Sequence, residues 1–406
     1  MKRRSVVARP SRSREFLIFC CAVVALSAIL KLPSLRYPLA EGDERIYWQL
    51  AENLAGGGQY TLQGSEVLRE LSPYMYDRPL FHHPPLFPAL LVPFVLTGSK
   101  SAAVLVSWLG HSLAVIAVAL VGRHVLHRLP HDARISLPAF WLPVLGVSAD
   151  PLLMFVSRRL WIDSLLGGLT ALVVATVLVA EGKRRRAVLA VGGGLLGLAA
   201  LAKLTALILV PVVLIAGVRA DATWKDRTLS LAAMFLPVAI LVAPWLLLFY
   251  LQYGVLTPSW VQPDARLMEL FPFVRAAVGR PWYYYGAKLL VIMPLALVAA
   301  WLLIRERHLW RNAAIQIAAA WFSVVVVTLT LMGIVGYGFQ MRHITSAVAA
   351  VYVIVLAALL ERDRPVLLMV CGFSMLVGTV TGAMHLLAPE FDEIVSLLRI
   401  AGFGSF

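Results

Sequence analysis

Residues 40–54 read AEGDERIYWQLAENL and form an acidic, aromatic segment in a chain that is otherwise mostly apolar. Ile46, Leu50 and Leu54 recur every four residues with polar residues between them, and three glycines follow at positions 56–58. This spacing predicts an amphipathic helix that lies along a membrane surface and ends at the glycines.

The composition of the whole chain is that of a polytopic membrane protein. Its 406 residues are 60% hydrophobic and only 14% charged, with a mean hydropathy of +0.81, whereas soluble domains carry roughly 25% charged residues. The net charge of +14 lies in short basic clusters between apolar runs, which favours membrane topology over a nucleic-acid partner. All three cysteines lie within apolar runs, so we expect neither a disulfide framework nor a cysteine metal site.

The first apolar run, residues 16–30, sets the orientation. It is followed by Lys31-Leu32-Pro33 rather than by a small-residue cleavage site, which predicts an uncleaved first helix. Basic residues precede it: Lys2, Arg3, Arg4, Arg9, Arg12 and Arg14. Because basic residues beside a span favour the cytoplasm, we expect a protein of the cytoplasmic (inner) membrane with its N-terminus inside. The first loop, residues 35–100, then carries interfacial helices on the periplasmic or extracellular side.

Apolar runs alternate with basic clusters along the rest of the chain, which predicts an all-α bundle of about 11 transmembrane helices. We expect one transmembrane domain, residues 1–406, without a C-terminal soluble domain. Residues 84–97 are too short and too rich in proline to span, so we expect an interfacial or re-entrant segment. Residues 252–285 form a second outer loop.

The predicted topology includes one tight pair of helices and one further outer loop. About 31 apolar residues precede Arg219, which predicts a tight pair of short helices with a break at Gly192–Gly194 or, in preference, at Lys203. The third span, about residues 135–148, is expected to lead into an outer loop that runs from Asp150 to Asp163.

Asp43 and Glu44 open the predicted helix, and two interpretations are compatible with that position. As an N-cap and a first-turn acid they favour the helix dipole. As a partly desolvated carboxylate at the membrane boundary, Asp43 is a general base for an attacking hydroxyl. His82 and His83 precede two prolines that hold the backbone extended, and they are either hydrogen-bonded anchors or ligands. Asp43 and His83 are the candidates for a divalent cation, although no diagnostic ligand spacing marks one.

Cations lie near the outer ends of apolar spans, where a preference for the cytoplasm does not account for them: Arg158, Arg159, Lys203, Arg280, Lys288 and Arg342. Each either reaches lipid headgroups or joins a site for a phosphate presented from the membrane. Aromatic residues lie on the same predicted side. Tyr283 and Tyr284 belong to an aromatic belt or pack on a sugar or prenyl chain, and Tyr337 is a further candidate for substrate binding.

Three short motifs together resemble a known family: GDERIYWQLA at 42–51, HPPL at 83–86 and GLAALAK at 197–203. They are similar to motifs of membrane glycosyltransferases of the GT-C type, namely the protein O-mannosyltransferases, the lipid A aminoarabinose transferases and bacterial relatives of glycosyltransferase family 39. The resemblance implies an outer active site, a polyprenyl-phosphate sugar donor and inverting transfer to a hydroxyl or phosphate acceptor of the cell envelope.

The resemblance also implies residue roles. The family's first-loop aspartate, its proposed base, matches Asp43, and the neighbouring glutamate matches Glu44. The acid after the third span corresponds to Asp163, with Asp150 as a competitor. His83 stands where the aminoarabinose transferases have a lysine, which departs from the pattern for binding the donor phosphate. Those relatives also carry a C-terminal soluble domain, so the resemblance leaves the acceptor open. The cofactor is unknown, and the candidate is a divalent cation such as Mg or Mn.

The competing functional class is a polytopic transporter or a flippase for lipid-linked glycans. Such proteins use ionisable residues within their spans and pairs of broken helices in two halves. This sequence carries almost no ionisable residues within its predicted spans, and its acids concentrate at one membrane face. The distribution favours chemistry at that face over a path across the membrane, while a non-catalytic assembly partner remains a third interpretation.

Overall fold

The structure is a computed structural model. It describes residues 13–32, 35, 42–71, 76–77, 79–81, 83–129, 137–217, 223–254, 292–334, 341–362 and 364–387. Within these ranges the regular structure consists of helices, with no β-strand. The all-α prediction is confirmed for this part of the chain.

The α-helices, numbered in chain order, are α1 Ser13–Lys31, α2 Gly42–Ala55, α3 Glu66–Leu71, α4 Leu86–Leu96, α5 Leu105–Arg128, α6 Leu137–Ser148, α7 Pro151–Ser157, α8 Ile162–Leu178, α9 Arg185–Ala202, α10 Val210–Gly217, α11 Trp224–Tyr253, α12 Leu295–Arg305, α13 Ala313–Ile334, α14 Thr345–Glu361 and α15 Pro365–Leu387. Short 3-10 turns join several of them, including Leu204–Leu209 before α10 and Met341–Ile344 before α14.

Six helical segments of the described chain are long and apolar enough to cross a membrane: Ala102–Arg128, Leu137–Ser157, Arg185–Ala202, Trp224–Tyr253, Ala313–Leu331 and Arg342–Glu361. Shorter apolar helices accompany them: Leu86–Leu96, Ile162–Leu178, Leu204–Gly217, Leu295–Arg305 and Pro365–Thr381. The protein is therefore an integral membrane protein. The count of about 11 spans stays a prediction, since six helices of the described chain are long enough to cross a membrane.

The centre of the bundle is α14, whose side chains are buried along almost its whole length. It packs against α5, α6, α8 and α13, which is the position expected of a helix that is apolar on all sides. By contrast, α11 exposes leucines and isoleucines over much of its surface, as suits a helix at the lipid boundary. The buried centre holds the elements that carry the site described below.

Helices α5 and α8 approach each other closely because glycines face each other at their crossing. A Cβ atom on Gly168 would overlap the carbonyl oxygen of Gly110, and small residues of this kind let membrane helices pack backbone to backbone. Two serines reinforce the contact: Ser164 Oγ donates to the Ser107 carbonyl at 2.6 Å, and Ser107 Oγ donates to the Trp161 carbonyl at 3.2 Å. The start of α8 is thereby fixed against α5.

The predicted outer loop from Asp150 to Asp163 is wrong for its first half. Asp150 is buried and is the N-cap of α7, where its side chain accepts from the backbone N–H groups of Leu152 and Leu153. Aspartate followed by proline is a strong helix start, because proline at the first helical position lacks the N–H that would otherwise need a partner. Helices α6 and α7 thus form one interrupted span.

The predicted break at Lys203 is confirmed. Helix α9 ends at Ala202, and Lys203 has an extended backbone with φ −151° and ψ 123° before the 3-10 turn that leads into α10. Gly192–Gly194, the alternative, lies inside α9. The helix predicted from Ile46, Leu50 and Leu54 is also confirmed, as α2.

The first loop is attached to the bundle by α2 and by the segment that precedes α4. Helix α2 packs on α4. Trp245 of α11 donates its indole N–H to the Phe81 carbonyl at 2.8 Å, and the two rings meet edge to face with centroids 5.1 Å apart. Most of the second predicted loop, 252–285, lies outside the described residues.

Candidate active site

Glu44 fastens the first turn of α2 to the turn between α7 and α8. Both of its oxygens accept from Arg159, Nε to Oε1 at 3.0 Å and Nη2 to Oε2 at 3.2 Å, and Oε1 also accepts from the backbone N–H of Leu160 at 3.0 Å. Its side chain is only 3% exposed. A buried carboxylate with this many donors is fixed in place and acts as a cross-link between two elements.

Asp43 has a more open environment than its neighbour. Its side chain is 38% exposed and accepts a hydrogen bond from Nη2 of Arg342, which comes from the turn before α14. Two residues adjacent in sequence therefore differ sharply, because successive positions on a helix point about 100° apart. Of the pair, Asp43 has the carboxylate that a substrate can approach.

A second acid, Asp163, joins the same group of charges from the first turn of α8. It accepts from Lys203 Nζ at 2.9 Å, and its other oxygen lies 3.6 Å from Arg342 Nε. Its own side chain is 2% exposed, whereas that of Lys203 is 26% exposed. Asp43, Arg342, Asp163 and Lys203 form a continuous chain of alternating charges, which we call the charge chain.

Trp161 lies beside the charge chain, and two arginines stack on it. The Cζ atom of Arg342 lies 4.9 Å from the ring centroid, and that of Arg159 lies 5.2 Å from it. Such cation–π contacts stabilise a guanidinium where it is partly desolvated. The ring is buried, so it connects the cation partner of Glu44 with the cation partner of Asp43.

His83 and Tyr47 line the same region from the first loop. Their rings meet edge to face with centroids 5.4 Å apart, and Tyr60 donates its hydroxyl to the His83 carbonyl at 2.9 Å. Burial lowers the pKa of His83 to about 4, with a further contribution from the positive charge of Lys203. The ring is therefore neutral at pH 7. Burial and the charge of Asp43 raise the pKa of Tyr47 well above its usual range.

Asp150, the competitor of Asp163, has a different function. In addition to capping α7 it accepts from the Tyr352 hydroxyl at 2.9 Å, so its interactions hold α7 against α14. Of the two acids, only Asp163 belongs to the charge chain.

The remaining predicted residues divide into two groups. Arg158 follows α7 directly and is half-buried, and its side chain forms no hydrogen bond or ion pair with Asp43, Glu44 or Asp163. Other predicted site residues lie outside the described part of the chain: His82, Arg280, Tyr283, Tyr284, Tyr337 and Lys288.

Sequence reasoning missed Trp161, Tyr47 and His343. The charges of Lys203, Asp163 and Asp43 all act on the His343 ring, which places it beside the charge chain. A signal existed for Trp161, since it stands between two arginines and an aspartate in the segment 158–163. Its stacking partner Arg342 lies 181 positions further along the sequence, so the sequence alone does not indicate this contact.

A divalent cation at Asp43 and His83 stays a prediction. Among the described residues, no three His, Cys, Asp or Glu side chains are arranged to hold a metal ion. In this structure Asp43 accepts a hydrogen bond from Arg342, and Asp163 accepts one from Lys203. A guanidinium and an ammonium group therefore balance the two carboxylates.

Comparison with known proteins identifies the fold. No family model and no curated protein matches the sequence. Among solved structures, ArnT from Cupriavidus metallidurans bound to undecaprenyl phosphate is similar with a TM-score of 0.58 and 19% identity, over 87% of this chain and 61% of that chain. The same protein in the apo state gives a TM-score of 0.55 with 19% identity, over 86% of this chain and 60% of that one.

A third similar structure is an oligosaccharyltransferase from Archaeoglobus fulgidus in complex with Zn and sulfate, with a TM-score of 0.51 and 16% identity, over 94% of this chain and 56% of that chain. These likenesses show that the protein has a GT-C-like fold, as the motifs predicted. The chain spans about 60% of the length of the ArnT structures that it matches.

Proposed function

We propose that this protein is an inverting glycosyltransferase that moves a sugar from a polyprenyl-phosphate donor to a cell-envelope acceptor at the outer face of the membrane. One observation carries the proposal: the charge chain joins an accessible carboxylate, Asp43, directly to Arg342 and, through Asp163, to Lys203. The likeness to an ArnT structure with bound undecaprenyl phosphate supports the donor class.

The proposed reaction is a single displacement at the anomeric carbon. The acceptor oxygen attacks this carbon from the side opposite the phosphate, a new carbon–oxygen bond forms, and Asp43 takes the acceptor proton. The bond from the anomeric carbon to the phosphate oxygen breaks, and its electron pair leaves with the polyprenyl phosphate. The configuration at the anomeric carbon is inverted because attack and departure are on opposite faces.

Arg342 and Lys203 supply the positive charge that the departing phosphate needs. A lipid phosphate is already a good leaving group near neutral pH, so cations and exclusion of water contribute more than a general acid does. Both cations belong to elements that packing fixes, the turn before α14 and the break after α9. We assign to them the stabilisation of the negative charge on the departing phosphate.

We assign Glu44 a positioning role rather than the catalytic role that the motif suggested. Its oxygens accept three hydrogen bonds from Arg159 and the Leu160 N–H, and its side chain is only 3% exposed, so a substrate cannot approach it as it can Asp43. His83, neutral at pH 7, is proposed as a hydrogen-bonding residue for substrate rather than as a phosphate-binding cation. Arg158 is retained as a phosphate-binding candidate.

The orientation is part of the proposal. Basic residues at the N-terminus and between the spans favour a position of α2 and the charge chain on the periplasmic or extracellular side of an inner membrane. The sugar and the acceptor are open, and hexoses and pentoses are both compatible with the charges described.

The test is transfer of radiolabelled sugar from a polyprenyl-phosphate donor by the purified protein in detergent. We expect Asp43→Asn to lower kcat by a factor of about 10² to 10⁴, because it removes the base. Asp226→Asn is a matched control, since Asp226 is also half-exposed and paired with an arginine, but on α11 away from the site. If Asp43→Asn keeps wild-type activity, Asp43 is not the base, and if the wild type transfers no sugar the enzymatic proposal fails.

A further inference from the structure

The turn between α7 and α8, residues 158–161, contains hydrogen-bond donors with no acceptor. Nε of Arg158 and the indole N–H of Trp161 are buried and unpartnered. Nε of Arg342 makes no hydrogen bond either but lies 3.6 Å from Asp163 Oδ2, and its guanidinium stacks on the Trp161 ring. Buried N–H groups nearly always find an acceptor, and an exception in a native protein calls for an explanation.

Neighbouring groups in this turn do make hydrogen bonds, so poor packing of the whole turn does not explain the exceptions. Arg159 donates to both oxygens of Glu44, and the Leu160 N–H donates to the same carboxylate. The Trp161 carbonyl accepts from Ser107. The unpartnered donors are thus held in a rigid frame, as donors reserved for a ligand would be.

We propose that the Trp161 indole N–H binds a phosphate oxygen of the lipid-phosphate substrate, together with Nε of Arg158 and beside the positive charge of Arg342. The inference rests on the proposed function and adds to it a residue that the motifs do not contain. It also assigns a separate role to Arg159, which supports the Trp161 ring while its nitrogens are occupied by Glu44.

Phosphate is the ligand chemistry that this set of donors fits. Phosphoryl oxygens accept several hydrogen bonds, and arginine N–H groups bind them with charge assistance. The three acids of the cluster are matched by Arg159, Lys203 and Arg342, so Arg158 adds a positive charge beyond those pairs. The indole N–H of Trp161 adds a directional hydrogen bond to phosphate. Because it carries no charge, it does not compete with the arginines and the lysine for the three carboxylates.

Undecaprenyl phosphate, which carries no sugar, is the probe that isolates this contact. In the full-length protein purified in detergent, we expect Trp161→Phe to weaken its binding about tenfold, the loss expected for one hydrogen bond to a charged group. The phenyl ring keeps an aromatic face for Arg159 and Arg342. Trp321→Phe is the control, because Trp321 is equally buried and its indole N–H is also unpartnered, but it lies in the middle of α13.

Wild-type affinity in Trp161→Phe would overturn the inference, as would an equal loss in Trp321→Phe. Should Trp161→Phe not fold, benzothienylalanine at position 161 keeps the size of the indole and replaces only its N–H by sulfur. We expect that substitution to give the same loss of affinity for undecaprenyl phosphate. Unchanged affinity would contradict the inference. Failure of the wild type to bind undecaprenyl phosphate would instead contradict the proposed function.

In the transfer assay the inference predicts a raised donor KM for Trp161→Phe. A purely structural role of the ring would lower kcat and thermal stability together. A raised KM with unchanged stability therefore supports a direct contact, whereas a fall of kcat and stability at unchanged KM contradicts it.

Discussion

At the scale of single residues, the proposed roles of Asp43 and Glu44 rest on the contrast between their environments. The two carboxylates follow each other in α2, yet one is 38% exposed and the other 3% exposed. The sequence made both candidates, because motif similarity assigns positions and not environments. Burial separates them: the exposed one can exchange a proton with a substrate, while the buried one holds two elements together.

Glu44→Gln is therefore expected to affect stability more than Asp43→Asn does. Removing one partner of a buried ion pair costs on the order of 3 kcal/mol, because the other charge is left uncompensated, whereas exposed pairs contribute roughly 1 kcal/mol or less. Thermal unfolding in detergent should show a clearly lower Tm for Glu44→Gln only. A variant with a normal Tm and no transfer activity would return Glu44 to a catalytic role.

His83 gives the protein a pH dependence whose sign is fixed by its environment. Burial holds its pKa in the folded state at about 4, below the 6.5 of an ordinary histidine, so the unfolded chain binds more protons between these two values. Stability from this group is fully present above about pH 6.5 and falls as the pH decreases towards 4, by roughly 3 kcal/mol in all.

The measurement is the unfolding midpoint of the wild type and of His83→Gln between pH 7.5 and pH 4.5. Other groups also titrate in this window, so the difference between the two proteins isolates His83. We expect the wild type to lose more stability on acidification than the variant. Parallel curves would mean that His83 is solvated and titrates normally.

At the scale of elements, hydropathy and charge predicted the positions of helices and breaks better than they predicted contacts between side chains. Helix α2 followed from its apolar spacing. The break at Lys203 followed from a run too long for one span between two basic clusters that are both predicted to be cytoplasmic. Helix α7 was missed because it has only seven residues, too few for a periodic pattern. The Asp150-Pro151 start signal is present in the sequence, at the point where the prediction begins an outer loop.

The crossing of α5 and α8 is the element-scale feature that we expect to control the site. Gly168→Ala forces a methyl group into the carbonyl of Gly110, which should cost about 1–3 kcal/mol as overpacking does. It should also lower transfer activity, since Trp161 and Asp163 begin the same helix.

Gly194→Ala is the matched control for this prediction. Nothing lies within 4 Å of a Cβ atom at Gly194, which is also a helical glycine. Alanine is the better helix former by up to about 1 kcal/mol, so this variant should be neutral or slightly stabilised. Equal Tm values for the two variants would show that α5 and α8 are not packed through their glycines.

At the scale of the whole molecule, the fold class was within reach of the sequence and the site was not. Apolar runs bounded by basic residues define a helical bundle whatever its detailed packing. The charge chain, however, joins residues 40 and 299 positions apart, Asp163 to Lys203 and Asp43 to Arg342. Several cations were equivalent candidates in the sequence, and only the packing of α8, α9 and α14 selects Arg342 and Lys203.

Sidedness is the whole-molecule property on which the proposed reaction depends. If α2 and the charge chain face outward, a cysteine at Glu70, exposed on α3, should react with a membrane-impermeant maleimide in intact cells. A cysteine at Arg184, exposed in the turn before α9 at the opposite end of that helix from Lys203, should react only after permeabilisation. The native Cys20, Cys21 and Cys371 lie in α1 and α15 and are replaced by serine for this measurement. The opposite labelling pattern would place Asp43 in the cytoplasm, where a donor presented at the outer face cannot reach it.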